Sequence, residues 1–227
     1  MLVRDAPDPV GTIVGFHGYG QTAETMLSDL ERIPGIDRWR VVSVQALHRF
    51  YGRDNQTIMA SWMTRQDREL AIADNVEYVN RVVDAIALAQ PLDDPEMVAE
   101  NPINPVHLPT PLGSPASTPL VFAGFSQGVA MAYRAALLGH RPAAGIIALG
   151  GDLPPEFKAA DPHRRWPPVL IGVGSRDIWY TETKSRLDEQ VLVAQHVEHE
   201  IVRFDGGHEW APAFLDAAAR WLSSRGD

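Results

Sequence analysis

The 227 residues are 45% hydrophobic, enough for one well-buried domain over 1–227 without demanding a second. A formal net charge of −9 with no block of Lys or Arg excludes the electrostatic footprint of nucleic-acid or anionic-membrane binding. Cysteine is absent, which excludes disulfides, a thiolate nucleophile and thiolate metal sites. No stretch reaches the ~18 apolar residues of a membrane span, so stable membrane insertion is not expected and a cytoplasmic location is.

Val10 to Phe16 is a short apolar, β-branched run that stops at His17-Gly18-Tyr19-Gly20, the pattern of a buried strand ending in a glycine turn. Met26, Leu27, Leu30 and Ile33 then recur on one side of a helix over 21–33, closed by Pro34-Gly35. Arg40 to Leu47 predicts a second strand. Residues 48–65 read as irregular, with Phe50, Tyr51, Met59, Trp62 and Met63 beside Arg53, Asp54 and Asn55. Such aromatics in a loop suit either a pocket wall or a satellite hydrophobic cluster. From Gln66 to Gln90, Leu70, Ile72, Val76, Val79, Val82, Val83, Ile86 and Leu88 predict the longest helix.

Residues 91–119 carry prolines at 91, 95, 102, 105, 109, 111, 115 and 119 and read as an insertion without regular elements. Their composition does not decide between a lid and a surface excursion. Apolar runs at 119–123, 143–149 and 168–173 each predict a strand, and residues 197–204 alternate like a strand near a sheet edge. Helices are expected over 129–138, 181–193 and 210–222. Six strand-like runs alternating with helices predict an α/β fold with a mostly parallel central sheet covered on both faces.

Gly124-Phe125-Ser126-Gln127-Gly128 stands where one of these strands meets its helix. A Gly-x-Ser-x-Gly turn in that context is a nucleophile elbow, in which a sharp turn lifts a serine hydroxyl above the sheet. Alone, the pentapeptide is equally suited to a helix N-cap serine. Its partners favour the elbow. In parallel sheets, ligand sites lie at the carboxyl ends of strands. After the run ending at Val173 comes Gly174-Ser175-Arg176-Asp177, and after the one ending at Phe204 comes Asp205-Gly206-Gly207-His208. The order Ser126, Asp177, His208 is that of an α/β-hydrolase triad. His208 is placed to take the serine proton and return it to the leaving group, and Asp177 to orient the imidazole. Backbone donors for the oxyanion are expected at Gln127, directly after the nucleophile, and at Tyr19 in the first glycine turn.

Rivals are weaker on position. Asp152 follows the wrong strand, Asp205 and Glu209 are too near His208 in sequence to orient it, and His17 suits bracing of the glycine turn better than proton transfer. His196 and His199 fall on opposite sides of a strand, so no metal is expected. Trp210 reads as a core anchor for the last helix.

His17-Gly18-Tyr19-Gly20-Gln21, Gly124-Phe125-Ser126-Gln127-Gly128, Asp177 and Gly207-His208 together resemble the phospholipase/carboxylesterase family of α/β-hydrolases, which includes acyl-protein thioesterases and small bacterial carboxylesterases. The resemblance covers nearly the whole chain. It implies an α/β-hydrolase fold with an eight-stranded sheet, Ser-Asp-His catalysis without a cofactor, and a small-molecule ester substrate. The aromatic stretch around Trp62 lies where relatives build part of the acyl or alcohol pocket, so Trp62 is expected to bind substrate, while Met59 and Trp179, carried as substrate-binding residues beside it, suit packing as well as a pocket. The sequence departs from the family at Val129, where a second glycine is usual, in the long 91–119 insertion, and in an N-terminal arm too short for the usual first two strands. A carboxylesterase acting on short acyl esters is the resulting expectation. A thioesterase or lysophospholipase on longer chains is the alternative within enzymes, and a non-catalytic hydrolase-fold binding protein the alternative outside them. Homodimerisation is left open.

Overall fold

The structure is a computed structural model that describes residues 1–64, 66–88 and 118–226. Its strands are β1 (Leu2–Arg4), β2 (Thr12–Phe16), β3 (Arg40–Val44), β4 (His48–Tyr51), β5 (Ile58–Ser61), β6 (Leu120–Phe125), β7 (Gly145–Leu149), β8 (Val169–Gly174) and β9 (His199–Phe204). The helices are α1 (Ala23–Glu31), α2 (Arg68–Leu88), α3 (Gln127–Leu138), α4 (Glu182–Ala194) and α5 (Pro212–Ser223). Seven strands form one sheet in the order β1-β3-β2-β6-β7-β8-β9. β1 runs antiparallel to β3, and all other neighbours are parallel.

The six parallel strands are those expected from the apolar runs, and β9 lies at the sheet edge as its alternation implied. Because helices cover both faces, neighbouring residues on a strand are both buried, on opposite sides. Ile13, Val41, Val121 and Ile147 pack toward Met26 and Leu30 of α1 and Phe214 and Trp221 of α5. Val14, Val42, Phe122 and Ile146 pack toward Val79 and Val83 of α2 and Met131 and Tyr133 of α3. Each such fully buried side chain contributes about 1.5–3 kcal/mol relative to exposure.

Two expectations are corrected. The sheet has seven strands among the described residues rather than eight, with one short strand ahead of Gly11, which pairs Leu2, Val3 and Arg4 with Ser43, Val42 and Val41. Residues 48–61, read as irregular, form a two-stranded antiparallel hairpin of β4 and β5. Its signal was masked because β4 is exposed along most of its length, which removes the apolar alternation. The turn between the strands is closed by Asp54, whose Oδ1 accepts from Gln56 N–H (3.0 Å) and Thr57 N–H (2.9 Å). These bonds, led by the Thr57 hydroxyl, draw the Asp54 carboxyl down to about 2. The proline-rich insertion lies outside the described residues except for residues 118 and 119.

Candidate active site

Ser126 sits between β6 and α3 with φ 53° and ψ −118°, a region costing of order 1–3 kcal/mol for a residue with a side chain. Its N–H donates to Leu149 O (2.9 Å), which ties the turn to the end of β7. Although it occupies the N-cap position of α3, its side chain makes no capping bond, so helix capping does not explain the serine. The flanking glycines are required by contact. A Cβ on Gly124 would lie 2.4 Å from Gly128 O, and one on Gly128 would lie 2.0 Å from Phe16 O.

Asp177 and His208 are brought together by the loops after β8 and β9. Ser175 N–H donates to Phe204 O (2.9 Å) and Arg176 N–H to Gly206 O (2.8 Å), which stitches the two loops side by side. Asp177 is buried, and its Oδ1 accepts from Trp179 N–H (2.7 Å) and Tyr180 N–H (3.0 Å). That leaves Oδ2 for His208 Nδ1, 2.7 Å away. With Nδ1 engaged by a buried carboxylate, Nε2 is the nitrogen left free for chemistry. The imidazole packs on Phe125, the residue before Ser126, with ring centroids 4.8 Å apart. Among the described residues Ser126 and His208 are not joined by a hydrogen bond; such contacts are often loose before substrate arrives.

Gly150 and Gly151, which follow β7, complete this side and escaped the sequence reading. A Cβ on Gly150 would lie 3.1 Å from His208 Nδ1, and one on Gly151 would lie 2.3 Å from Ser126 O. Their place at the carboxyl end of a strand was the available signal. The rival acids are engaged elsewhere: Asp152 with Lys184 (3.1 Å), Asp205 with Arg176, and Glu209 with Gly207 N–H (3.0 Å).

Facing the elbow is the turn after β2, where a Cβ on Gly18 would lie 3.3 Å from Ser126 Cβ. Gly18 N–H donates to Gln21 Oε1 (2.8 Å), Gly20 N–H to Ala60 O (2.9 Å) and Gln21 N–H to Gly18 O (3.2 Å). Tyr19 N–H has no partner among the described residues, nor has Gln127 N–H at the first turn of α3. His17 is buried. Its Nε2 accepts from Ala46 N–H (3.1 Å), so its Nδ1 carries the proton and donates to Gly18 O (2.7 Å). Burial holds this imidazole below its ordinary value, and the neutral tautomer braces the turn.

The expected substrate-binding residues do not share one environment. Met59 is half-buried against Gly20, and Trp179 is exposed beside Asp177. Trp62 is wholly buried against Phe16 (5.4 Å, edge-on) and His17, so it presents no surface to a substrate. Exposed Tyr19 lies against Phe50 (5.6 Å), and Ile178 stands exposed next to Asp177; both apolar flanks were missed because exposure is invisible in composition. A cavity of about 720 Å³ lies elsewhere, lined by Ile72, Leu137, Phe157, Arg164 and Trp166, and touches none of these groups. Among the described residues, no three His, Asp or Glu side chains converge as a metal site.

The model of the phospholipase/carboxylesterase family matches residues 3–225. The chain belongs to that family. Membership makes it a carboxylesterase-type hydrolase acting on esters. No curated protein sequence matches it significantly. Among solved structures, esterase PE8 is 22% identical with a TM-score of 0.67, covering 98% of this chain and 97% of its own. Zea mays acyl-protein thioesterase 2 is 17% identical with a TM-score of 0.70, covering 100% and 98%. The Bacillus cereus carboxylesterase is 14% identical with a TM-score of 0.65, covering 99% and 93%. At these identities the likeness establishes the shared α/β-hydrolase fold of this phospholipase/carboxylesterase family member.

Proposed function

We propose that the protein is a cytoplasmic, cofactor-free serine hydrolase that cleaves small-molecule carboxylic esters through an acyl-enzyme on Ser126. The observation that carries this reading is the Asp177–His208 hydrogen bond of 2.7 Å, with the same imidazole packed against Phe125 of the elbow and close to Gly150 after β7. Ser126 Oγ attacks the carbonyl carbon as its proton passes to His208 Nε2, and the carbonyl π electrons move onto oxygen. Tyr19 N–H and Gln127 N–H receive that oxyanion, each without a partner among the described residues. Asp177 holds the imidazole in the productive tautomer and stabilises the imidazolium. Collapse of the intermediate breaks the ester C–O bond, the alcohol leaves with the proton from His208, and water repeats the sequence to release the acid.

Ser126→Ala is expected to abolish turnover of a short-chain aryl ester while the thermal unfolding transition stays intact. Full retention of activity overturns the assignment. Fluorophosphonate labelling of Ser126 in the wild-type protein separates an active hydrolase from a binding protein of the same fold. The exposed Tyr19, Ile178 and Trp179, with half-buried Phe50 against Tyr19, favour one second reading, a thioesterase or lysophospholipase on longer acyl chains. Rates across acyl length decide between them: a maximum at short chains supports the first reading, and a steady rise with length the second.

A further inference from the structure

β2 and β6 are paired so that Phe16 lies opposite Gly124, and the two chains leave the sheet at one level. Tyr19 lies three residues past Phe16, and Gln127 three past Gly124. Beyond this register, among the described residues, no backbone bond links the turn to the start of α3. An oxyanion donor is effective only about 2.7–3.1 Å from the developing charge, so the spacing of these segments must be held by something else.

The end of β5 supplies that link. Trp62 Nε1–H donates to His17 O (2.9 Å), at the root of the glycine turn. Trp62 backbone N–H donates to Gln127 Oε1 (2.9 Å), on the first residue of α3. Ser61 Oγ donates to Met63 O (2.7 Å), which leaves it to accept from Gln127 Nε2 (3.1 Å) and fixes the orientation of that amide. Ala60 O grips the turn a second time through Gly20 N–H. Trp62 is itself anchored, since Asn75 Nδ2 of α2 donates to Trp62 O (2.9 Å) and the indole is buried edge-on to Phe16.

We infer that Trp62 is a positioning residue for the oxyanion hole. Its indole N–H holds the segment carrying Tyr19, its backbone N–H holds the segment carrying Gln127, and one rigid residue therefore sets the distance between the two donors. Trp62 touches neither substrate nor reacting atoms and acts through the two amides it spaces. The inference rests on the assignment of Ser126 and its oxyanion donors proposed above.

Trp62→Phe removes the indole N–H while keeping an aromatic ring against Phe16 and the backbone bond to Gln127. Gln127→Met keeps the Gln127 N–H and removes the amide clamp. In folded protein, each is expected to lower kcat for a short-chain aryl ester by ~10- to 100-fold, with KM within about twofold of wild type. Affinity for an alkylboronic acid, which forms a tetrahedral adduct on the serine, should weaken by the same factor as kcat/KM. Unchanged kcat and boronate affinity overturn the inference, and so does a rise in KM at constant kcat, which would make Trp62 a pocket wall. If Trp62→Phe does not fold, Gln127→Met carries the same test. Wild-type protein that neither turns over ester nor takes up fluorophosphonate at Ser126 overturns the underlying assignment instead.

Discussion

The two halves of the site are held by different materials. On the base side, Asp177 and His208 hang from neighbouring strands, and their loops are aligned by two backbone-to-backbone bonds, beside exposed side-chain contacts of Ser175 and Arg176 with Asp205 that add little in water. On the oxyanion side, the turn after β2 is held by the side chains of His17, Gln21 and Trp62 as well as by backbone, and the Gln127 side chain ties the start of α3 to Trp62. A backbone frame survives substitution of its own side chains, so the base side should fail only when a reacting group is changed. The oxyanion side should fail when residues remote from the chemistry are changed.

The largest effect tests the base side. Asp177→Asn retains an oxygen for the Trp179 and Tyr180 amides but presents the wrong group to His208 Nδ1, and kcat should fall by ~10⁴-fold with the fold retained. Steady-state kinetics beside thermal unfolding will check this, and a loss below about tenfold would remove Asp177 from the orienting role. On the other side, Tyr19→Pro deletes an amide of the turn that has no partner among the described residues. It should lower kcat by ~10²–10³-fold, far more than Tyr19→Ala, which keeps the N–H. Equal losses in the two variants would place the oxyanion elsewhere.

The smallest effect concerns the brace. His17 in the folded protein takes up its proton below the ordinary value of 6.5, because its burial disfavours the charged form. As pH falls below 6.5 the unfolded chain binds the proton first, so the His17 contribution is complete above 6.5 and is lost on the way down to the lowered folded value. His17→Gln should therefore be less stable near neutrality yet lose less stability than wild type on mild acidification. Denaturant midpoints at ~pH 8 and ~pH 5.5 will show it, and parallel losses in both proteins would free His17 of this role. Glu156, where burial is outweighed by the hydrogen bond from Arg134, is held below 4.5 and acts in a lower window.

Much of this was legible along the chain, for a reason that particular residues make clear. Buried parallel strands are continuous apolar runs, so Thr12–Phe16 and Val169–Gly174 stand out, and sites in such sheets follow strand ends, which pointed to Ser126, Asp177 and His208. The hairpin of β4 and β5 was hidden because its outer strand is exposed. Trp62 was read as pocket lining because an aromatic in a polar stretch carries no mark of which way it faces. Gly150 and Gly151 are small in sequence and decisive only where His208 and Ser126 crowd against them.

The sequence by itself determined the class of fold, the family, and the chain order of the proposed nucleophile, acid and base, since these rest on local periodicity and on short motifs at strand ends. Tertiary structure alone decided which side chains hold the donors in place, that Trp62 faces inward to the turn and Tyr19 outward to solvent, and that Asp177 has one carboxylate oxygen left for His208. Those facts depend on contacts between segments distant in the chain, and no periodicity or spacing encodes them.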